Sequence, residues 1–134
     1  MDEKRIPILV GSGQITQREQ DPLVAQSPMD LTASAGFKAA DDTHIGKSIL
    51  KKLDTIVVIR SFSDTSWRFK CPFGKYSNPP LSLSKRLGAE NVNRLIYTYP
   101  GGNMPQWCVN RMFEMVTRGE IAVSYTHLTL PTKA

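Results

Sequence analysis

The residues of this 134-residue chain with covalent or acid–base reactivity near neutral pH are two cysteines, Cys71 and Cys108, and two histidines, His44 and His127. A cysteine becomes a nucleophile when its thiolate is stabilised, and the unpaired N–H groups and positive dipole end at the first turn of a helix do this well. Cys108 lies in "TYPGGNMPQWCVNR", which reads as a strand, a glycine turn and then a helix. It sits more than one turn past the helix start, where the dipole effect has faded, so a core thiol is the expected reading and a nucleophile the rival one. Cys71 lies in a long loop with no evident base beside it. The cysteines are far apart and fit neither a CxxC pair nor a zinc spacing, which points to a reduced, cytoplasmic chain. His44 and His127 lack neighbours at metal-ligand spacing and read as exposed polar residues; no metal site is expected.

Two glycine motifs lose their appeal on inspection. "GSGQIT" offers Gly11 and Gly13, but Thr16 stands where a dinucleotide fingerprint needs a third glycine, and no helix starts there. "GKS" at residues 46–48 has Asp41 where a phosphate loop needs glycine, so it reads as helix surface. The loop "SFSDTSWRFKCPFGKYSNPP" interleaves Trp67, Phe69, Phe73 and Tyr76 with Arg68, Lys70 and Lys75. That mixture could stack bases and clamp phosphates, or its rings could pack over a core edge with the basic heads in water; the second is the simpler expectation.

These residues need a scaffold. "IPILVGSGQI" is a β-branched apolar run suited to a strand buried on both faces. Ser27 and Pro28 open a helix, with Asp30 in its first turn and Leu31, Ala35 and Ala39 forming a small-residue stripe able to lie against a sheet. "GKSILKKL" continues helically, and "DTIVVIRSF" reads as an interior parallel strand. "PPLSLSKRLGA" is a short helix with Gly88 at its exit, and "NRLIYTYP" a further strand. The last helix has Asn103 as its cap, Pro105 in its first turn and Gly119 as terminator; its apolar residues cover most of its circumference, predicting burial on more than one side. Strands alternating with helices give an α/β domain with a mostly parallel sheet, in which ligands meet the carboxyl ends of the strands, where "YPGGN" lies.

The net charge is +5, but the basic clusters are short and interspersed with acids, which argues against a nucleic-acid surface. No stretch approaches the ~20 apolar residues of a membrane span.

"RIPILVGSGQITQRE", "SPMDLTASAGFKAA", "LDTIVVIRSF", "YSNPPLSLSKRLGAE" and above all "GGNMPQWCVNRMFEMVTRGE" resemble, in this order, the amino-terminal half of a thiolase-like protein, similar to the acetyl-CoA acetyltransferase branch akin to sterol-carrier-protein-type thiolases. The resemblance implies the amino-terminal half of a layered αβαβα fold with a buried helix, coenzyme A thioesters as substrate or ligand, and a homodimer in the intact parent. In catalytic members a cysteine occupies the turn before the buried helix; here that position falls at Gly102 or one residue to either side, and no thiol is there. The resemblance therefore implies no catalytic residue in this chain and assigns Gly101, Gly102, Asn103 and Met104 to substrate binding. An acyl-CoA acyltransferase and a non-catalytic acyl-CoA or lipid-binding relative both remain open. Residues 1–123 are expected to form a partial amino-terminal domain, and 124–134 a non-native read-through tail in which "VSYTHLTL" alternates well enough to take a strand position. Such a chain is expected to be inactive and prone to association.

Overall fold

The computed structural model describes residues 5–127. At its centre is β1 (Thr55–Val58), flanked by β2 (Arg94–Tyr97) and β3 (Ser124–His127) in the order β2-β1-β3. Both pairings are parallel, with Ile56 opposite Leu95 on one side and Tyr125 on the other. β1 is buried along its whole length, as its unalternating β-branched sequence requires of a strand covered on both faces. Ser124–His127, the start of the stretch expected to be a foreign tail, is the part that pairs as β3; the remainder, 128–134, lies outside the described residues.

Side chains of β1 alternate between two cores. Ile56 and Val58 join Met29, Ala33, Leu83 and Leu87 of the helices α1 (Pro28–Asp41) and α2 (Pro79–Leu87). Val57 and Ile59 join Met104, Cys108, Met112 and Met115 of α3 (Met104–Thr117) on the opposite face. The result is helix, sheet, helix in three layers. The punctuation is local: Ser27 Oγ accepts from the Asp30 N–H, and Pro28 supplies the fixed φ of a first helical residue. α3 ends where Gly119, at φ +75°, lets the Gly119 and Glu120 N–H groups bond back to Val116 and Met115 carbonyls. "GKSILKK" forms a 3-10 helix, Gly46–Lys52, with Lys47 and Ser48 at the surface.

Asp54 fastens the amino ends of all three strands. Its backbone N–H donates to the Val123 carbonyl, its carbonyl accepts from Asn93 and Arg94, and its carboxylate accepts from the Ala122 N–H at 2.7 Å.

Three expectations need correction. The run Ile6–Val10 is not a strand. It makes no backbone hydrogen bond among the described residues, and Ile8 and Leu9 are 73% and 79% exposed. An apolar run becomes an interior strand only with backbone partners on its edges, and here a cavity of about 1420 Å³ lies between residues 5–17, α1, α3 and β3. The segment is instead a strap. Gly11 and Gly13 press on α1, where an added Cβ would come within 2.5 Å of Ala39 and Ala35 backbone atoms, and Arg5 reaches the Arg118 carbonyl at the end of α3. The stripe Leu31, Ala35, Ala39 consequently faces this strap; α1 buries Met29, Thr32, Ala33, Gly36 and Ala40. Finally, α3 is buried on one side only, since Trp107 and Phe113 on its other flank are exposed.

Candidate functional site

The carboxyl ends of β1 and β2 lie side by side, and two different chain segments leave from them. From β2 the chain passes through Thr98, which is buried and donates its N–H to Val58, and then through the turn Tyr99-Pro100-Gly101-Gly102-Asn103 into α3. Gly101 has φ +145°, a conformation that glycine tolerates and other residues rarely adopt. An added Cβ at Gly102 would meet nothing within 4 Å, so open space faces that residue. Gly102 and Asn103 are exposed, and Met104 turns inward to anchor the helix start on the sheet.

Backbone donors at this mouth are only partly used. Met104 N–H donates to the Gly101 carbonyl and Trp107 N–H to the Asn103 carbonyl, both at 3.2 Å. The N–H groups of Gly102, Asn103 and Gln106 have no acceptor among the described residues, and Pro105 has no N–H to offer. The expected cap fails: Asn103 is helical rather than extended, and its side chain makes no bond to the helix. Exposed amides with the positive end of a two-layer-anchored helix behind them can hold a carbonyl or phosphate oxygen.

Cys108 sits elsewhere. It is 0% exposed within the α3 core, and burial pushes its thiol pKa up, the opposite of what a nucleophile requires. Cys71 is half-buried in the long loop. His44 is exposed as expected. His127 is not: it is half-buried at the end of β3, its Nε2 3.3 Å from Thr32 Oγ1, and burial lowers its pKa to about 4. Because Thr32 Oγ1 already donates to the Pro28 carbonyl at 2.8 Å, the neutral ring must be the donor in this pair. Among the described residues no three His, Cys, Asp or Glu side chains gather as a metal set, and no helix is long and apolar enough to cross a membrane.

The same sheet edge holds a cluster that the sequence did not advertise. Arg60, leaving β1, donates from Nε to the Thr98 carbonyl at 3.2 Å and lies 4.3 Å over the Tyr97 ring. The Tyr97 hydroxyl donates to the Asp64 carboxylate, and burial first, then this bond, raises its pKa to about 12. Tyr97 therefore serves as a fixed donor rather than an acid–base group near neutrality. Within the sequence, only the proximity of Arg60 and Asp64 to the strand end hinted at this; the pairing with Tyr97 spans 33 positions and depends on the parallel register.

The long loop itself departs from expectation. Tyr76 packs on the core, but Trp67 is 78% and Phe69 54% exposed. The rings thus do not cover a core edge except at Tyr76.

No known family profile matches the sequence, and no curated protein is significantly similar to it. Among solved structures, the chain is similar to the crystal structure of a monomeric SCP2-thiolase like protein type 1 from Mycobacterium smegmatis, with a TM-score of 0.73 over 92% of this chain and 23% sequence identity. The chain spans 23% of that protein's length. Its fold is therefore that of part of a thiolase-like protein: a three-stranded parallel sheet with helices on both faces.

Proposed function

We propose that this chain belongs to a thiolase-like acyl-CoA acyltransferase of the acetyl-CoA acetyltransferase type, and that Gly101, Gly102, Asn103 and Met104 form its thioester-facing turn. The observation that carries this reading is the glycine turn at the carboxyl end of β2, with unused amides and open space in front of Gly102. The amides of Gly102, Asn103 and Gln106 would polarise a thioester carbonyl by donating to its oxygen, where negative charge grows as a nucleophile adds. Gly101 keeps the backbone close enough for that contact, and Met104 holds the helix mouth against the sheet.

No residue of this chain is assigned as the nucleophile. The turn carries no thiol, and Cys108 is sealed in the core. This favours a second reading within the same cleft, an acyl-CoA or lipid-binding relative that does no covalent chemistry. The homodimer implied by the resemblance is part of the first reading; the similar mycobacterial protein is described as monomeric.

Calorimetric titration with acetyl-CoA tests the turn directly. Gly102→Ala meets no neighbour, so it should leave stability within about 0.5 kcal/mol while weakening acetyl-CoA binding at least tenfold. Unchanged affinity in that variant would place the ligand elsewhere. Acetoacetyl-CoA cleavage by the chain, lost on changing the turn, would eliminate the non-covalent reading.

A further inference from the structure

The loop between β1 and α2 is pinned at both ends and holds large apolar side chains in water between them. At its start, Arg60 Nε donates to the Thr98 carbonyl and the Tyr97 hydroxyl donates to Asp64. At its end, Tyr76 packs on the core and accepts from Arg86 at 3.3 Å, while Arg86 is paired with Asp30 at 2.7 Å. Two tight turns fold the stretch between. The Thr65 N–H closes on the Phe62 carbonyl and the Phe69 N–H on the Ser66 carbonyl, which puts Trp67 and Arg68 at the apex of the second turn. The rings of Phe62 and Phe69 join the two turns, their centroids 5.9 Å apart. Phe62, Trp67 and Phe69 are nevertheless 56%, 78% and 54% exposed. Three large rings kept wet on one pair of turns mark a surface that something else dries.

The charge around these rings is of one sign. From Thr65 to Ala89 there are five cations and no acid. Arg68, Lys70 and Lys75 are exposed and make no ion pair among the described residues, and Asp64, the loop's acid, is already occupied by Tyr97. The partner must therefore be apolar where the rings enter and anionic around them. Single-stranded nucleic acid is anionic, but it is held by stacking, which needs free ring faces spaced along the strand. Here Phe62 and Phe69 are tilted at 47° against each other, each taking up part of the other's surface, and Arg68 lies 5.7 Å over the Trp67 ring. The rings make a knob rather than a row of seats. An anionic bilayer surface asks for no such alignment: the rings enter the boundary between headgroups and acyl chains together, and Arg and Lys lay their stems along it with their charged heads among the phosphates.

We infer that the loop from Phe62 to Lys75 docks this chain on an anionic lipid surface, Phe62, Trp67 and Phe69 entering the interface and Arg68, Lys70 and Lys75 binding lipid phosphates. The docking is peripheral and needs no membrane-crossing helix. It stands whether or not the turn at Gly101 and Gly102 meets a thioester. Because the loop is pinned at Tyr97, Thr98 and Arg86 beforehand, little further order has to be gained on contact.

Co-sedimentation of the full chain with sucrose-loaded vesicles tests this, comparing phosphatidylcholine alone with equal parts phosphatidylcholine and phosphatidylglycerol. The chain should bind the anionic vesicles, leave them as salt is raised, and bind the zwitterionic ones far more weakly. Lys70→Gln with Lys75→Gln should weaken binding to the anionic vesicles about 25-fold, at about fivefold per basic residue, and Trp67→Ala should weaken it at least about tenfold. Leu9→Ser and Phe113→Ser, in the exposed strap and the exposed flank of α3, should leave it unchanged. In a Trp107→Phe background the emission of Trp67 should move to the blue on anionic vesicles. No binding to those vesicles overturns the inference, and so does binding that survives the loop changes but is lost with Leu9→Ser, which is adhesion through the strap. Oligothymidylate bound through Trp67 with the vesicles ignored assigns the loop to nucleic acid and overturns it as well.

Discussion

Ile6–Val10 and Thr55–Val58 are both short and rich in β-branched residues, but the first carries Pro7, which has no N–H to give a ladder, and it is largely exposed where the second is wholly buried. Ile56 and Val57 are 0% exposed; Leu9 is 79% exposed. The difference is in backbone partners. β1 has a parallel neighbour on each edge and a helix layer on each face, whereas the strap has neither and touches the domain through Gly11, Gly13, Arg5 and hydrogen bonds of Ser12 and Gln14 to Asp42 and Lys38. Apolar composition makes burial favourable, but only a place in the hydrogen-bonded ladder makes it possible without leaving amides unpaired.

The largest test of this contrast is a pair of truncations. Ile56→Ala should destabilise by about 2–5 kcal/mol in urea unfolding, and Leu9→Ser should change stability by less than about 0.5 kcal/mol. Equal losses would mean that the strap is as buried as the strand.

β3 lies between the two regions, and His127 reports on it. Its folded pKa of about 4 lies below the ordinary 6.5, so the unfolded chain takes up the proton first. Stability from this group is full above pH 6.5, declines as the pH falls from there to about 4, and declines no further below; the loss is up to about 3 kcal/mol. His127→Gln should flatten that part of the pH–stability curve.

Asp54 sharpens the comparison from the side of the ladder. Its carboxylate accepts the Ala122 N–H at 2.7 Å, so Asp54→Ala should cost about 2 kcal/mol and raise amide exchange at Ala122 and Val123. The corresponding polar contact of the strap, Ser12 N–H to Asp42, is exposed, and Asp42→Ala should be nearly neutral. The smallest expected effect concerns the thiols: a brief iodoacetamide pulse should label Cys71, and Cys108 should react only after unfolding.

Much of this architecture was legible because its signals are local. Ser27-Pro28, the Pro79-Pro80 entry with its Gly88 exit, and Gly119 each act within a few residues, and each stands where the spacing puts it. β1 and its interior burial followed from four β-branched residues without alternation. What failed was non-local. The strap's lack of partners, the exposed flank of α3 with Trp107 and Phe113, and the burial of His127 all depend on which surfaces meet across the chain. The candidate turn was placed correctly at a strand end, but the Arg60, Tyr97 and Asp64 cluster beside it needed the register of β1 against β2. The exposed apolar surfaces of strap and α3 also bear on the expected association, which light scattering over a range of concentrations measures.

On the proposed function, the amide mouth of α3, not the sulfur inside it, meets the thioester. Backbone amide spectra recorded during an acetyl-CoA titration test it most directly. Saturable shifts at Gly102, Asn103 and Gln106, with Cys108 unmoved and unacylated, are the predicted result; an acylated Cys108, or shifts confined to the residues beneath the strap, would contradict it.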